Sequence, residues 1–130
     1  IGCLRSEFRV TATKYGAANA TWTLPAIIGV AKAKEFLLTG RAVPADEALA
    51  VGLLNQLVDD DRVVEESLEL AALIAANPPE GPHWVKKLVN ANIGQSFEAG
   101  YRAEHFAMST ALRPQGGANV FDGFTRRRES

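Results

Sequence analysis

The side chains that could carry chemistry are few and lie far apart in the chain. There are two histidines, His83 and His105, and one cysteine, Cys3. A structural zinc site needs four closely spaced nitrogen or sulfur ligands, which these residues do not provide. No Gly-x-Ser-x-Gly motif, phosphate-binding loop or dinucleotide-binding glycine pattern occurs either. Taken alone, the residues predict neither a metal site nor a catalytic constellation.

Each histidine has an ordinary structural interpretation. His83 follows Pro82 at a predicted helix start, where a solvated surface residue is favoured over a catalytic one. His105 adjoins Glu104 on another predicted helix, where a partly packed, hydrogen-bonded imidazole is favoured.

Two charged runs could bind ions. Asp59-Asp60-Asp61 precedes a helical pattern, and capping of that helix explains the run without a bound cation. Arg126-Arg127-Arg128 could bind phosphate, although cations near a helix C-terminus are favoured on spacing alone.

The elements that would position these residues are mostly helices. Alternating side chains predict one strand at 8–11, and residues 53–58 form a second extended candidate. Proline, glycine and apolar spacing predict the helices. They cover residues 26–28, 30–38, 44–51, 62–77, 82–94, 97–112 and 120–128.

Apolar residues recur at helical spacing and mark one face of each of three helices. These faces consist of Ala33, Phe36 and Leu37; Val64, Leu68, Ala71 and Ala75; and Phe97, Tyr101, His105 (or Glu104), Met108 and Leu112. On the helix at 82–94, Trp84, Leu88 and Ala91 are predicted to point inward.

Composition narrows the class of protein. In 130 residues, 47% are apolar and 22% charged, which is typical of a globular domain. The net charge of −1 predicts no nucleic-acid or membrane partner. The single cysteine excludes a disulfide within the chain and favours the cytoplasm. The apolar start Ile1-Gly2-Cys3 is expected if these residues begin inside a structural element.

The order of several segments resembles the enoyl-CoA hydratase/isomerase (crotonase) family. The matching segments are Glu7-Phe8-Arg9-Val10, the run from Thr21 to Gly29, Ala31 to Gly40, Ala45 to Asn55, Ala75 to Pro79, and Phe124 to Arg128. They follow the family's order along the chain. The resemblance implies the C-terminal part of a crotonase-like α/β fold, with residues 1–25 as a remnant of the β/α core. Residues 26–130 would form a helical oligomerisation region, and the whole is expected to be one compact unit.

The family's chemistry implies groups that this sequence lacks. Backbone N–H groups stabilise a thioester enolate, and carboxylates move the protons. Ile1 lies about where hydratases carry their first glutamate, and isoleucine cannot move a proton. The second carboxylate belongs in the loop at 17–20, where Asn19 is the only polar residue. That loop is about ten residues shorter than in the family, a change that can be nearly neutral for stability. No catalytic residue is therefore assigned.

The resemblance also implies a coenzyme A contact. In the family, an aromatic and a basic side chain of the last helix reach the adenine and phosphates. Here Phe124 and Arg127 match best, followed by Arg128. The implied partners are an acyl-CoA thioester and further copies of the chain, in a homotrimer or hexamer. Coenzyme A enters as part of the substrate, and no separate cofactor or metal is expected.

Three functions remain open at this point. The first is an acyl-CoA hydratase or isomerase that is incomplete in this chain. The second is a non-catalytic crotonase-like fragment that oligomerises or binds coenzyme A. The third, a helical interaction domain unrelated to coenzyme A, conflicts with the ordered run of matched segments.

Overall fold

The computed structural model describes residues 1–110, which belong to two units. The first comprises Ile1–Asn77 and the second begins at Pro78. Within the first unit, residues on both sides of position 25 share one core. The predicted division after residue 25 and the single compact unit stay predictions. The boundary between the two units lies at Pro78-Pro79. A proline disfavours helical geometry in the residue before it, so a helix ends ahead of this pair.

Mostly helical structure with short strands is confirmed. The strands are β1 (Gly2–Cys3), β2 (Glu7–Phe8), β3 (Val43–Pro44) and β4 (Leu57–Val58). The helices are α1 (Leu24–Ile28), α2 (Val30–Thr39), α3 (Ala45–Ala50), α4 (Val63–Ala75), α5 (Glu80–Asn92) and α6 (Phe97–Thr110), with a 3-10 turn at Ala12–Tyr15.

The strands form two minimal sheets in the first unit. β1 and β4 pair in parallel, with Gly2 opposite Leu57 and Cys3 opposite Val58. β2 and β3 pair antiparallel, with Phe8 opposite Val43. The predicted strand at 8–11 is thus shorter and begins one residue earlier, while the extended segment at 53–58 contains β4.

Proline and glycine set the ends of α1 and α2, as predicted. Pro25 occupies the first turn of α1, and Gly29, with φ of 80°, separates the helices. Gly40 ends α2 in the left-handed region, at φ of 56°. A Cβ there would lie 3.0 Å from Lys14 Cε and 3.3 Å from the Val10 carbonyl oxygen, so glycine also allows the close approach of residues 10–14.

The core of the first unit lies among α1, α2, β3 and α3. Its buried residues are Leu24, Ile28, Ala33, Phe36, Val43, Ala45, Ala48 and Leu54. Phe36 is its largest side chain, at 3% exposure. On the predicted apolar face of α2, Ala33 and Phe36 are buried and Leu37 packs at the edge.

The predicted amphipathic helix is confirmed at 63–75. Its apolar face is open, with Val64 and Leu68 at 70% and 65% exposure and Ala71 and Ala75 exposed with them. The periodicity correctly identified an amphipathic helix, whereas burial depends on what packs against it.

The predicted aspartate cap of α4 is also wrong. Arg62 occupies the N-cap position, and no side chain forms a capping hydrogen bond there. The turn is closed by the Arg62 N–H, which donates to the Asp59 carbonyl at 3.0 Å. Asp60 instead forms an ion pair with Arg5.

In the second unit, α5 and α6 pack through residues that differ in part from the prediction. Trp84 and Leu88 are half-buried as expected, whereas Ala91 is exposed. On α6 the face marked by Phe97, Tyr101 and Met108 is exposed, and Ala107 is buried. Small residues allow close helix approach: a Cβ on Gly100 would lie 3.4 Å from Asn92 Cγ. Leu112 lies outside the described residues.

Among the helices of residues 1–110, none combines the length and apolarity that crossing a membrane requires.

Candidate functional site

The predicted coenzyme A residues lie outside the described part of the chain. Phe124, Arg127 and Arg128 belong to residues 111–130, as does the predicted helix at 120–128. Their role stays a prediction.

The 3-10 turn at Ala12–Tyr15, just before the loop at 17–20, is anchored to the end of α2. The Thr13 hydroxyl donates a hydrogen bond of 2.6 Å to the Leu37 carbonyl. The side chain of Lys14 lies against Gly40. These contacts hold Lys14-Tyr15-Gly16 in place, and so fix where the loop at 17–20 begins.

The loop at 17–20 has no group that could act as an acid or base. The Asn19 side-chain oxygen accepts a hydrogen bond of 2.7 Å from the N–H of Ala20. Ala20 adopts φ of 55°, a left-handed conformation that costs a non-glycine residue about 1 kcal/mol. The amide of Asn19 therefore supports a strained local turn. Ile1 is half-buried before β1.

The most extensive polar arrangement in the first unit is one that the sequence analysis missed. We call it the Arg41 cluster; it consists of Lys32, Glu35, Arg41 and Glu47. Arg41 Nη1 and Nη2 each donate to a different oxygen of Glu47, both at 2.7 Å. Its Nε donates to Glu35 at 3.0 Å. Lys32 Nζ lies 3.0 Å from Glu35 and 3.5 Å from Glu47.

The Arg41 cluster covers the core aromatic ring. The guanidinium carbon of Arg41 lies 4.8 Å from the centre of the Phe36 ring, and Lys32 Nζ lies 6.0 Å from it. The cluster thereby joins α2 to α3 over the core. The sequence does carry a signal for this cluster, because the acidic residues Glu35 and Glu47 lie on either side of Arg41 in the chain. Helical periodicity could not reveal it, because the three residues belong to different elements.

Electrostatics keeps all four groups charged at neutral pH. Hydrogen bonds from Arg41 lower the pKa of Glu47, and hydrogen bonds from Arg41 and then Lys32 lower the pKa of Glu35. The carboxylates in turn raise the pKa of Arg41 and of Lys32. A carboxylate with a lowered pKa is a poor general base, so the cluster is suited to fixing α2 and α3 rather than to moving protons.

We expect Glu47→Gln to lower the stability of the first unit at pH 7 and to flatten its acid dependence. The folded-state pKa of Glu47 lies below its unfolded value of about 4.3. Its contribution is therefore fully present above that pH and disappears as the pH falls through the folded-state pKa. Urea unfolding from pH 7 to 3 should show the wild-type and variant curves converging at the acid end.

The matched control is Glu98→Gln. Glu98 pairs with Arg102 on α6, and both side chains are largely exposed, so this change should have little effect at any pH. A constant difference between wild type and Glu47→Gln across the pH range would contradict the assignment.

Residues 1–110 also contain one small cavity and one open groove, but no candidate metal site. No group of three or more histidine, cysteine or acidic residues within that range could hold a metal. A cavity of about 30 Å³ beside Phe8 and Phe36 has room for about one water molecule. A larger open groove of about 460 Å³ is lined by Leu4, Gln56, Leu57, Val58, Asp59, Arg62 and Glu66.

The two histidines do not converge on a site. His83 is exposed and meets Trp84 edge-on, with ring centres 6.2 Å apart. His105 stacks on Tyr101 at 6.0 Å and is exposed, so its predicted partial packing is wrong.

Comparison with known proteins identifies the family. The model of the enoyl-CoA hydratase/isomerase family matches residues 4–121. A short-chain-enoyl-CoA hydratase of Clostridioides difficile is 34% identical over 86 residues, which are 66% of this chain and 56% of that protein. A 1,2-epoxyphenylacetyl-CoA isomerase of Escherichia coli is 32% identical over 72 residues, covering 55% of this chain and 28% of that protein.

Solved structures agree with the sequence matches. The enoyl-CoA hydratase of Bacillus anthracis superposes with a TM-score of 0.84 at 26% identity, covering 96% of this chain and 50% of that one. The fold is thus part of the crotonase fold. The chain belongs to the enoyl-CoA hydratase/isomerase family, and it spans about half the length, or less, of the relatives named here.

Proposed function

We propose that this chain contributes to enolate-stabilising chemistry on acyl-CoA thioesters, as part of an acyl-CoA hydratase or isomerase. The observation that carries this proposal is the family match across residues 4–121. The substrate class follows from relatives named as an enoyl-CoA hydratase and an acyl-CoA isomerase. In such chemistry, hydrogen-bond donors stabilise the charge that develops on the thioester oxygen, while a carboxylate moves a proton.

The contribution of these 130 residues is to bind and to scaffold. Neither Ile1 nor the loop at 17–20 carries a carboxylate, so the proton-transfer groups must come from elsewhere in the assembly. The Arg41 cluster and the Phe36 core hold α2 and α3 rigidly together. Phe124 and Arg127 would stack on adenine and pair with phosphate, with Arg128 nearby.

The same proposal covers the cofactor requirement, the oligomeric state and the cellular location of the reaction. Coenzyme A is part of the substrate, and no separate cofactor or metal takes part. The chain assembles with further copies as a trimer or hexamer, which fits the exposed apolar side chains of α4. The reaction belongs to fatty acid metabolism in the cytoplasm.

We expect the double change Phe124→Ala with Arg127→Ala to weaken coenzyme A binding in the complete assembly by about tenfold to a hundredfold. That range corresponds to losing a charged hydrogen bond and an aromatic stack. Isothermal titration calorimetry with coenzyme A measures it directly.

The matched control replaces another aromatic and arginine pair, Phe106→Ala with Arg102→Ala. Both side chains are exposed on α6, and this variant should bind coenzyme A as the wild type does. If the Phe124 and Arg127 variant binds equally well, the last helix is not part of the site.

A second candidate function is a non-catalytic crotonase-like module that oligomerises or binds coenzyme A. The absence of any carboxylate in the sequence at 17–20 favours it. The two candidates differ in turnover by the complete assembly, because only the first predicts hydration or isomerisation of an acyl-CoA.

A further inference from the structure

We propose that Asn19 is a site of spontaneous covalent modification, at which the backbone nitrogen of Ala20 attacks the asparagine side chain and expels ammonia. Water then opens the resulting cyclic imide to aspartate or isoaspartate. The reaction needs only the chain itself and water. It converts an uncharged loop into one that carries a carboxylate.

The attacking and accepting groups are already held together in the structure. The Ala20 N–H donates a hydrogen bond of 2.7 Å to Oδ1 of Asn19, the residue before it. Oδ1 is bonded to Cγ, the carbon that must be attacked, so this contact keeps that carbon beside the Ala20 nitrogen. An intramolecular reaction is accelerated when the reacting atoms start in such a near-attack arrangement.

The backbone fixes Ala20 and leaves Asn19 free to approach it. The Ala20 carbonyl accepts a hydrogen bond of 3.0 Å from the Leu24 N–H, and Ala20 packs against the core. These contacts maintain its left-handed φ of 55°, a strained conformation for alanine. Within the described residues, by contrast, neither Ala18 nor Asn19 donates its N–H to a main-chain carbonyl. The nitrogen is therefore held in place, while Asn19 can rotate toward it as ring closure requires.

The bonds made and broken balance without an oxidant or a second reagent. The Ala20 nitrogen loses its proton and bonds to Cγ of Asn19, the Cγ–Nδ2 bond breaks, and Nδ2 leaves with that proton as ammonia. Water that adds at Cγ gives aspartate. Water that adds at the main-chain carbonyl of Asn19 gives isoaspartate, in which the backbone runs through the side chain. Asn19 is exposed, so water reaches the imide from solvent.

A second Asn-Ala pair in the same chain provides the comparison. Asn90 and Ala91 repeat the dipeptide within α5, and Asn90 is exposed as Asn19 is. The N–H groups of a helix point along its axis to the carbonyl four residues earlier. The Ala91 nitrogen is therefore not aimed at Cγ of Asn90. The dipeptide alone predicts equal reactivity at the two sites, whereas the structure predicts reaction at Asn19.

The test incubates the native chain in mildly alkaline buffer and follows both pairs by peptide mapping. Tryptic cleavage at Lys14 and Lys32 isolates Asn19 in one peptide, and tandem mass spectrometry reads Asn90 in another. Asn19 should lose its amide at least about tenfold faster than Asn90, because only its geometry is near attack. In urea the two rates should converge, since the dipeptide is the same.

Two further measurements identify the chemical route. Ring closure by Ala20 yields isoaspartate at position 19, which isoaspartate-specific methylation labels, whereas direct hydrolysis of the amide yields aspartate alone. Isoelectric focusing of the intact chain should show an acidic form that accumulates with time. Asn19→Gln should suppress that form, because the glutamine amide carbon lies one bond further from the Ala20 nitrogen. The matched variant Asn90→Gln should leave its accumulation unchanged, and circular dichroism confirms that both variants fold.

Three results would overturn the proposal. The first is equal loss of the amide at Asn19 and Asn90 in the native chain. The second is a difference that persists in urea, since it would then come from the neighbouring sequence and not from the fold. The third is aspartate without isoaspartate at position 19. None of these measurements involves turnover or coenzyme A, so their outcome is independent of the proposed function.

Discussion

Replacing Phe36 with alanine is expected to lower the free energy of unfolding of the first unit by about 3–5 kcal/mol. Phe36 is 3% exposed and is the largest side chain of a core otherwise made of alanine, valine, leucine and isoleucine. Its removal leaves a cavity that the short helices around it can fill only in part. It also removes the ring beneath Arg41, whose guanidinium carbon lies 4.8 Å from the ring centre. Urea unfolding followed by circular dichroism gives the loss.

Phe97 provides a control of the same residue type. It is 91% exposed at the start of α6, so Phe97→Ala should change stability by no more than about 0.5 kcal/mol. Equal effects of the two substitutions would mean that the core of the first unit does not form around Phe36.

The second large effect concerns catalysis: these 130 residues alone should hydrate crotonyl-CoA no faster than the uncatalysed reaction. Enzymes accelerate their reactions by at least about 10⁶-fold, and that acceleration depends on groups placed to move protons. Ile1 cannot take a proton, and the Asn19 amide is occupied by its hydrogen bond with Ala20. Glu35 and Glu47 are held as charged partners of Arg41. The assay follows loss of the enoyl thioester absorbance.

Contaminating host hydratase is the main hazard in that assay. Preparations of wild type and Asn19→Ala should therefore be compared after identical purification, with a complete hydratase as the positive control. Turnover that persists in Asn19→Ala, and co-purifies with the chain through successive columns, would show that a proton-transfer group has been overlooked.

Much of the secondary structure could be predicted because local sterics determine it. Pro25, Gly29, Gly40 and Pro78 act on their own backbone and that of adjacent residues, and the elements change near each of them. The family could be recognised for a related reason. The segments that resemble the family contain such prolines and glycines, and they follow one another in the family's order along the chain.

The packing faces were predicted less well. The apolar spacing of α6 marked Phe97, Tyr101 and Met108 as one face, yet the residue that the helix buries is Ala107. Periodicity identifies a continuous apolar side of a helix. It does not say whether the neighbouring helix approaches that side or a side of small residues that allows closer contact.

The sequence by itself determined the family, the helix limits and the lack of a carboxylate at 17–20, because these follow from residue identity and from interactions over a few residues. Only the tertiary structure decided that Arg41 joins Glu35 and Glu47 above Phe36, and that Val64 and Leu68 of α4 are exposed. Both depend on which surfaces meet across elements distant in sequence. Burial and ion pairing arise where such surfaces come into contact, and no local pattern of residues specifies them.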